Sequence, residues 1–172
     1  MNKPFVAVIT GPTGSGKSTV ATKLAKQLNK CVNIEVDHIK HFIMGGFTKE
    51  VVDGKVKWEY HQWGLVGESI GLLADNFQKK GFSVIINGFL GESAWSDLEK
   101  NVAITNKLLL LPSIEVSKAR DKERKEDDVM GEDAVKEHHE YFSNDKLFKG
   151  FTKIDSSAHS IDETIEAVMK QL

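Results

Sequence analysis

The stretch Gly11-Pro12-Thr13-Gly14-Ser15-Gly16-Lys17-Ser18 decides how the rest of the chain is read. It satisfies the pattern GxxxxGK[ST] in full, and at ordinary residue usage chance would place that pattern in roughly one in 200 chains of this length. On its N-terminal side Phe5 to Thr10 is a short, nearly unbroken apolar run, which predicts a strand buried on both faces of a parallel sheet. On its C-terminal side Val20, Ala21, Leu24, Ala25 and Leu28 recur every three or four positions, so a helix is expected from Lys17 to about Asn29. A glycine-rich turn between a strand and a helix lets successive N–H groups point inward at the positive end of that helix, where they cradle phosphate. The expected nucleotide contacts are therefore Gly11, Pro12, Thr13, Gly14, Ser15, Gly16, Lys17, Ser18 and Thr19, with Lys17 reaching the terminal phosphates and the Ser18 hydroxyl ligating Mg²⁺. A dinucleotide-binding GxGxxG does not fit, because its third glycine would fall at Thr19 and Lys17 would have no role.

Outward from this turn, Val32 to Val36 reads as a second strand that delivers Asp37 at its end, and His38 to Met44 as a short helix broken by Gly45 and Gly46. Gly45 to Lys57 shows no clear periodicity. Trp63, Val66, Ile70, Leu73 and Phe77 share one helical face, which predicts a long helix stopped by Gly81. Ser83 to Ile86, Lys107 to Leu111 and Phe151 to Asp155 read as the third, fourth and fifth strands. Ser160 and Glu163 form a capping-box signature for a last helix striped by Ile161, Ile165, Val168, Met169 and Leu172. Strands alternating with helices predict a mainly parallel sheet covered on both faces, with ligands beyond the C-terminal strand ends. The turn after Thr10, Asp37 and the pair Asn87-Gly88 then point into one crevice.

The 172 residues fit one domain spanning 1–172, large enough to bury a core without staples. Lys and Arg number 23 against 25 Asp and Glu, for a net charge of −2, which argues against nucleic-acid or membrane-surface partners. Cys31 is the only cysteine, which excludes an intramolecular disulfide, a Cys-rich zinc site and a CxxC redox pair. His38 and His41 do not form the HExxH pattern of a zinc protease. The apolar part of the N-terminus is too short for a signal peptide, and no run approaches the length that spans a bilayer, so a cytoplasmic, soluble protein is expected.

Guanine-nucleotide switches resemble the chain only at the glycine-rich turn, because Asn106-Lys107-Leu108-Leu109 lacks the aspartate of their NKxD motif; ATP is the expected nucleotide. As an order of elements over nearly its full length, the chain resembles the small P-loop kinases of the nucleoside-monophosphate kinase type. The branch holding shikimate kinase, gluconate kinase and chloramphenicol phosphotransferase is the most similar. The resemblance implies a three-layer α/β P-loop NTPase fold, with a five-stranded parallel sheet of order 2-3-1-4-5 and helices on both faces. It also implies a substrate-binding region at about 38–65 and a small helical lid at about 120–131. In those kinases a carboxylate ends the second strand, where this chain has Asp37. An acceptor hydroxyl must lose its proton as it attacks the γ-phosphate, and a carboxylate within hydrogen-bond reach can orient it and take that proton. The alternative is that Asp37 caps the following helix. Glu35 is a second, weaker carboxylate candidate.

Arg120 and Arg124 stand where the relatives carry the arginine that opens the lid and one that reaches the phosphates. Four residues apart, they share a helical face and repel unless an anion lies between them; the plain alternative is a solvated helix laced with ion pairs. The expected acceptor contacts are Asp37, His38, His41, Trp58, Gln62 and Asn87, whereas Trp63 begins an apolar stripe and reads as core, and His138 and His139 read as surface. The chain departs from the family at Asn87-Gly88-Phe89, where an acidic residue is usual; the Asn87 amide oxygen can hold a Mg²⁺-bound water but adds no charge. The Ser-rich turn Asp155 to Ser160 matches the loop that lies beside the adenine in similar kinases. The reading is an ATP- and Mg²⁺-dependent phosphotransferase acting on a hydroxyl of a small molecule, as a monomer or homodimer. Its rivals are an ATP-binding or ATP-hydrolysing regulatory module and a kinase of nucleotide sugars resembling the zeta toxins.

Overall fold

The computed structural model describes residues 3–46, 50–52, 55–57, 62–125, 129–144 and 146–172. In chain order the elements are β1 (Val6–Thr10), α1 (Lys17–Gln27), β2 (Cys31–Glu35), α2 (Val36–Lys40), β3 (Glu50–Val52), β4 (Lys55–Lys57) and α3 (Trp63–Lys79). They continue with β5 (Ser83–Asn87), α4 (Glu92–Asn101), β6 (Asn106–Leu110), α5 (Ile114–Lys122), α6 (Glu132–Asn144), β7 (Thr152–Ile154) and α7 (Ile161–Met169). Five strands form one parallel sheet in the order β2-β5-β1-β6-β7. Counted among sheet strands alone, that is the expected 2-3-1-4-5. All five residues of β1 are buried, as a central strand requires.

Alternate residues of each strand feed two cores. Val6, Val8, Val84, Ile86 and Leu109 pack under α3, α4 and α6, against Trp63, Val66, Ile70, Trp95, Leu98 and Phe142. Ile9, Ile85, Leu108 and Leu110 face the other way, against Val20, Leu24, Ile165 and Val168 of α1 and α7. The three-layer α/β arrangement follows. The register sets Ile9 opposite Asn87 and Asn87 opposite Glu35, which aligns the C-terminal ends of β1, β5 and β2.

Local signals account for most boundaries. Gly81, at φ 82°, closes α3, and both halves of the Ser160–Glu163 capping box form. Two boundaries differ from expectation. β2 ends at Glu35, and Val36 already begins α2, so Asp37 lies in the first turn of a helix rather than at a strand tip. The N-cap of α2 is Glu35, with no side-chain cap bond, so Asp37 is not the cap. The stretch without periodicity holds an antiparallel pair, β3 with β4, in register Glu50 with Lys57 and Val51 with Val56. Strands of three residues are too short to show a period of two. Among the described residues no helix is long and apolar enough to cross a membrane.

Candidate active site

Backbone hydrogen bonds shape the glycine-rich turn. Ser15 N–H donates to Pro12 O at 3.1 Å and Val20 N–H to Gly16 O at 3.0 Å, which shapes the turn and starts α1. Gly16 caps α1 at φ 86°, in the left-handed region that favours glycine. Around this turn opens a crevice of about 730 Å³, well within the range of small-molecule sites. Its walls include Lys17, Ser18, Asp37, Arg120 and Arg124.

Lys17 lies at the foot of the crevice, with Nζ donating to Pro12 O at 3.4 Å. Burial pulls its pKa down to about 8; the Asp37 and Glu35 carboxylates oppose that shift and the Arg124 cation adds to it. Asp37 is half exposed and pairs with Lys40 at 2.7 Å, and the Lys40 ammonium lies 5.7 Å from the centre of the Trp63 ring. On the far side Arg120 Nη2 donates to Ser156 O at 3.1 Å, tying α5 to the turn before α7. His159, Ile161 and Thr164 line that end of the crevice. Arg124 pairs with Asp121 at 3.4 Å. Asp121 is 1% exposed and also accepts from the N–H groups of Met130 and Gly131, both at 3.1 Å. One buried carboxylate therefore holds Arg124 and joins the two ends of the segment expected to be the lid.

Of the residues expected at the site, the structure gathers Gly11, Thr13 to Thr19, Asp37, Arg120 and Arg124 around the crevice, and the Pro12 carbonyl meets Lys17. Others are not brought there. His38 is largely exposed and lies 3.9 Å from Glu35, and His41 is exposed at the end of α2. Gln62 Nε2 donates to Gly46 O at 2.9 Å. Asn87 is fully buried between β1 and β2 and gives its Nδ2 to Asn33 Oδ1 at 2.8 Å, so it is not an acceptor contact. Trp58, with Tyr60 and His61, lies outside the described residues, as do 126–128 of the lid.

Several wall residues escaped the sequence reading. Lys40, Phe89, His138 and Phe142 line the crevice, and Trp63 belongs both to the core and to the crevice wall. The surface assignment of the two histidines is corrected. His138 Nδ1 lies 3.2 Å from Thr13 Oγ1, and its ring is nearly parallel to Phe89. Burial holds its pKa below the ordinary value, the Lys17 charge adds to that, and Glu137 opposes it. His139 Nε2 bonds Pro112 O at 2.8 Å. A signal was present: Val135, His138, His139 and Phe142 follow the i, i+3, i+4, i+7 spacing of a buried helical face.

The donor set fits Mg²⁺ held chiefly by phosphate oxygens and water rather than by a protein cage. Ser18 lines the crevice, and Asn87 Oδ1 is buried with no hydrogen-bond partner among the described residues. That orphaned oxygen is a hard, neutral acceptor at the end of β5.

A glycine-rich turn on a helix N-terminus, at the centre of a 2-3-1-4-5 parallel sheet, defines a P-loop nucleotide-binding protein with the fold of the small P-loop kinases. Residues 6–144 match the sequence profile of the AAA domain, and the chain belongs to that family. Solved structures with the same fold include a sugar kinase from Janibacter sp. HTCC2649, at TM-score 0.69 and 19% identity, covering 98% of this chain and 94% of that one. The tunicamycin resistance protein of Deinococcus radiodurans superposes at TM-score 0.70 and 16% identity over 98% and 95% of the two chains. A gluconokinase from Sinorhizobium meliloti 1021 does so at 0.66 and 18% over 99% and 93%. In sequence, a tRNA dimethylallyltransferase of Staphylococcus haemolyticus (strain JCSC1435) is 36% identical over a stretch covering 26% of this chain. That stretch is 19% of the transferase, so the chain spans about a fifth of the length of this curated relative.

Proposed function

We propose that the protein is a cytoplasmic ATP-dependent phosphotransferase that moves the γ-phosphate to a hydroxyl of a small molecule. The observation that carries this is the convergence of Lys17, Ser18, Asp37, Arg120 and Arg124 on one crevice, drawn from β1–α1, α2, α5 and the turn that follows α5. Lys17 and the two arginines offer three positive charges to the polyphosphate, which is where charge shifts during transfer. Asp37 orients the acceptor hydroxyl and takes its proton, with Lys40 as its counter-ion. The turn holding Ser156 and His159 borders the purine. Ser18 would hold Mg²⁺ together with the phosphates, and the ion would supply neutralisation of the phosphate charge. The fold supports this reading, as do the sugar kinase and gluconokinase among proteins that share it.

The test is ADP release from Mg²⁺-ATP across a panel of hydroxyl acceptors, run beside Asp37→Asn. At least one acceptor stimulates the wild type, and the variant turns it over about 10²- to 10⁴-fold more slowly, the usual contribution of a positioned base. ATP binding with no stimulation by any acceptor would favour the regulatory-module reading, and equal stimulation in the variant would remove Asp37 as the base.

A further inference from the structure

The crevice has two ends. With the purine beside His159, Ile161 and Thr164, the acceptor is left the end beyond Lys17. There the described wall is a continuous arc. Asp37 meets Lys40 at 2.7 Å, and Lys40 lies 5.7 Å from the centre of the Trp63 ring. The Trp63 ring is 5.8 Å from Phe89, Phe89 is 6.2 Å from His138, and His138 returns to the phosphate loop at Thr13. The arc therefore runs from the candidate base round to the nucleotide.

Its middle is aromatic and fixed in plane. Trp63 meets Phe89 edge-on at 77° and Phe142 does so at 84°, while His138 lies within 14° of parallel to Phe89. Trp63 and Phe142 are buried, so they set the orientation of Phe89 and His138, the two half-buried rings that face the crevice. Phe89 follows Gly88 at φ 140°, where a Cβ would come within 2.7 Å of Val36 Cβ, so backbone packing also fixes where this ring stands. Apart from the Trp63 indole N–H, the polar groups on the described arc are engaged with one another: Lys40 with Asp37, and His138 with Thr13. Phe89 and Phe142 offer no hydrogen bond. An open-chain polyol brings a hydroxyl on nearly every carbon, and each one desolvated against such a wall without a partner costs affinity. The face of a flat ring can lie there without desolvating a hydroxyl, and it gains stacking.

We propose that the acceptor lays the flat face of a ring against Phe89 and His138 and carries its reactive hydroxyl on a short arm toward Asp37. The class is ring-bearing alcohols, with nucleosides and aryl alcohols as the two sources, and not open-chain sugar acids. This rests on the phosphotransfer reading for the role of Asp37, but recognition of the ring can be measured without turnover.

The experiment is equilibrium binding of uridine, 2-phenylethanol, gluconate and mannitol to the full chain loaded with Mg²⁺ and a non-hydrolysable ATP analogue. Wild type, Phe89→Leu and Phe89→Tyr are compared, and analogue binding reports that each variant is folded. At least one ring probe binds about tenfold more tightly than gluconate and mannitol, and which one does so distinguishes the two sources. Phe89→Leu keeps the bulk but removes the flat face, and weakens that probe by about tenfold, within the range for stacking on an aromatic side chain; Phe89→Tyr restores it. Gluconate or mannitol binding more tightly than both ring probes would overturn the inference, as would an unchanged ring affinity in Phe89→Leu. A ring probe that binds but is never phosphorylated leaves ring recognition standing and removes the phosphotransfer reading, so the two fail separately.

Discussion

Lys17 answers two opposed demands. Its proposed role needs a charge at the phosphates, yet the ammonium sits at the foot of a crevice where burial pulls its pKa to about 8 from 10.5. The charged form is disfavoured by up to about 3 kcal/mol, which the water reaching it through the crevice mouth reduces to about 2 kcal/mol. Between pH 8 and 10.5 the unfolded chain binds more protons than the folded one, so the stability of the wild type rises with pH across that window. Lys17→Met removes the buried charge. At pH 7 it is expected to raise Tm by about 4–8 °C without nucleotide, with the gain shrinking above pH 8 and absent above 10.5, while ADP release is lost. Thermal melts of both proteins from pH 6.5 to 10.5 check this, and a variant that melts lower than the wild type at pH 7 would show that Lys17 is not strained in place. The same site makes the opposite prediction for binding: phosphate restores the proton, so ATP affinity falls as pH climbs past 8, with proton uptake visible by calorimetry in buffers of different ionisation heat.

At the scale of elements, the join between α5 and α6 carries the most consequence. Ser113 caps the start of α5 by accepting from Val116 N–H, and Asp121 near its end gathers Arg124 and the N–H groups of Met130 and Gly131. A buried acceptor serving three donors is costly to neutralise, because the donors lose a charge-assisted partner. Asp121→Asn is expected to speed amide exchange at Met130 and Gly131 by about tenfold or more, and to raise the KM for ATP several-fold by releasing Arg124. Exchange in α3 and α4 stays as in the wild type; uniform acceleration there would mean global destabilisation instead of a loosened lid base. The α3–α4 contact has its own signature. A Cβ at Gly67 would come within 2.1 Å of Ala94 O, and one at Gly71 within 2.7 Å of Asn101 Cβ, so the two helices approach as closely as they do because these positions lack a side chain. Gly67→Ala forces the helices apart and is expected to cost about 1–3 kcal/mol in urea unfolding, despite alanine's better helix propensity. A stabilised variant would show that this approach is looser than it stands.

At the scale of the whole molecule, what could be read in advance was whatever has a local cause. The phosphate turn, the stripe from Trp63 to Phe77 and the capping box at Ser160 each declare themselves within a few residues, and alternation of strand and helix then restricts the topology. The proposed acceptor wall was not legible, because His138 and Thr13 meet across a separation of 125 residues and Phe89 gains its neighbours from α3 and α6 only after folding. Lys40 was missed for a different reason: once α2 starts at Val36, positions 37 and 40 fall one helical turn apart, a spacing hidden while Asp37 was placed on a strand. The same long-range assembly makes the last prediction. The proposed ATP site spans the β1–α1 turn, Arg120 on α5 and the segment before α7, and Arg120 bridges two of these through Ser156. A ligand that binds only when all three are in place stabilises the fold as a unit, by about 2.7 kcal/mol at a hundredfold excess over Kd. For a chain of this size that is a Tm rise of about 5–11 °C, growing with the logarithm of ATP concentration. Scanning fluorimetry over an ATP titration should show this in one cooperative transition, with most of the shift lost in Arg120→Ala and nearly all of it in Lys17→Met. A shift that survives Lys17→Met would place the nucleotide away from the glycine-rich turn, and one that splits the transition in two would show that the C-terminal segment folds apart from the sheet it completes.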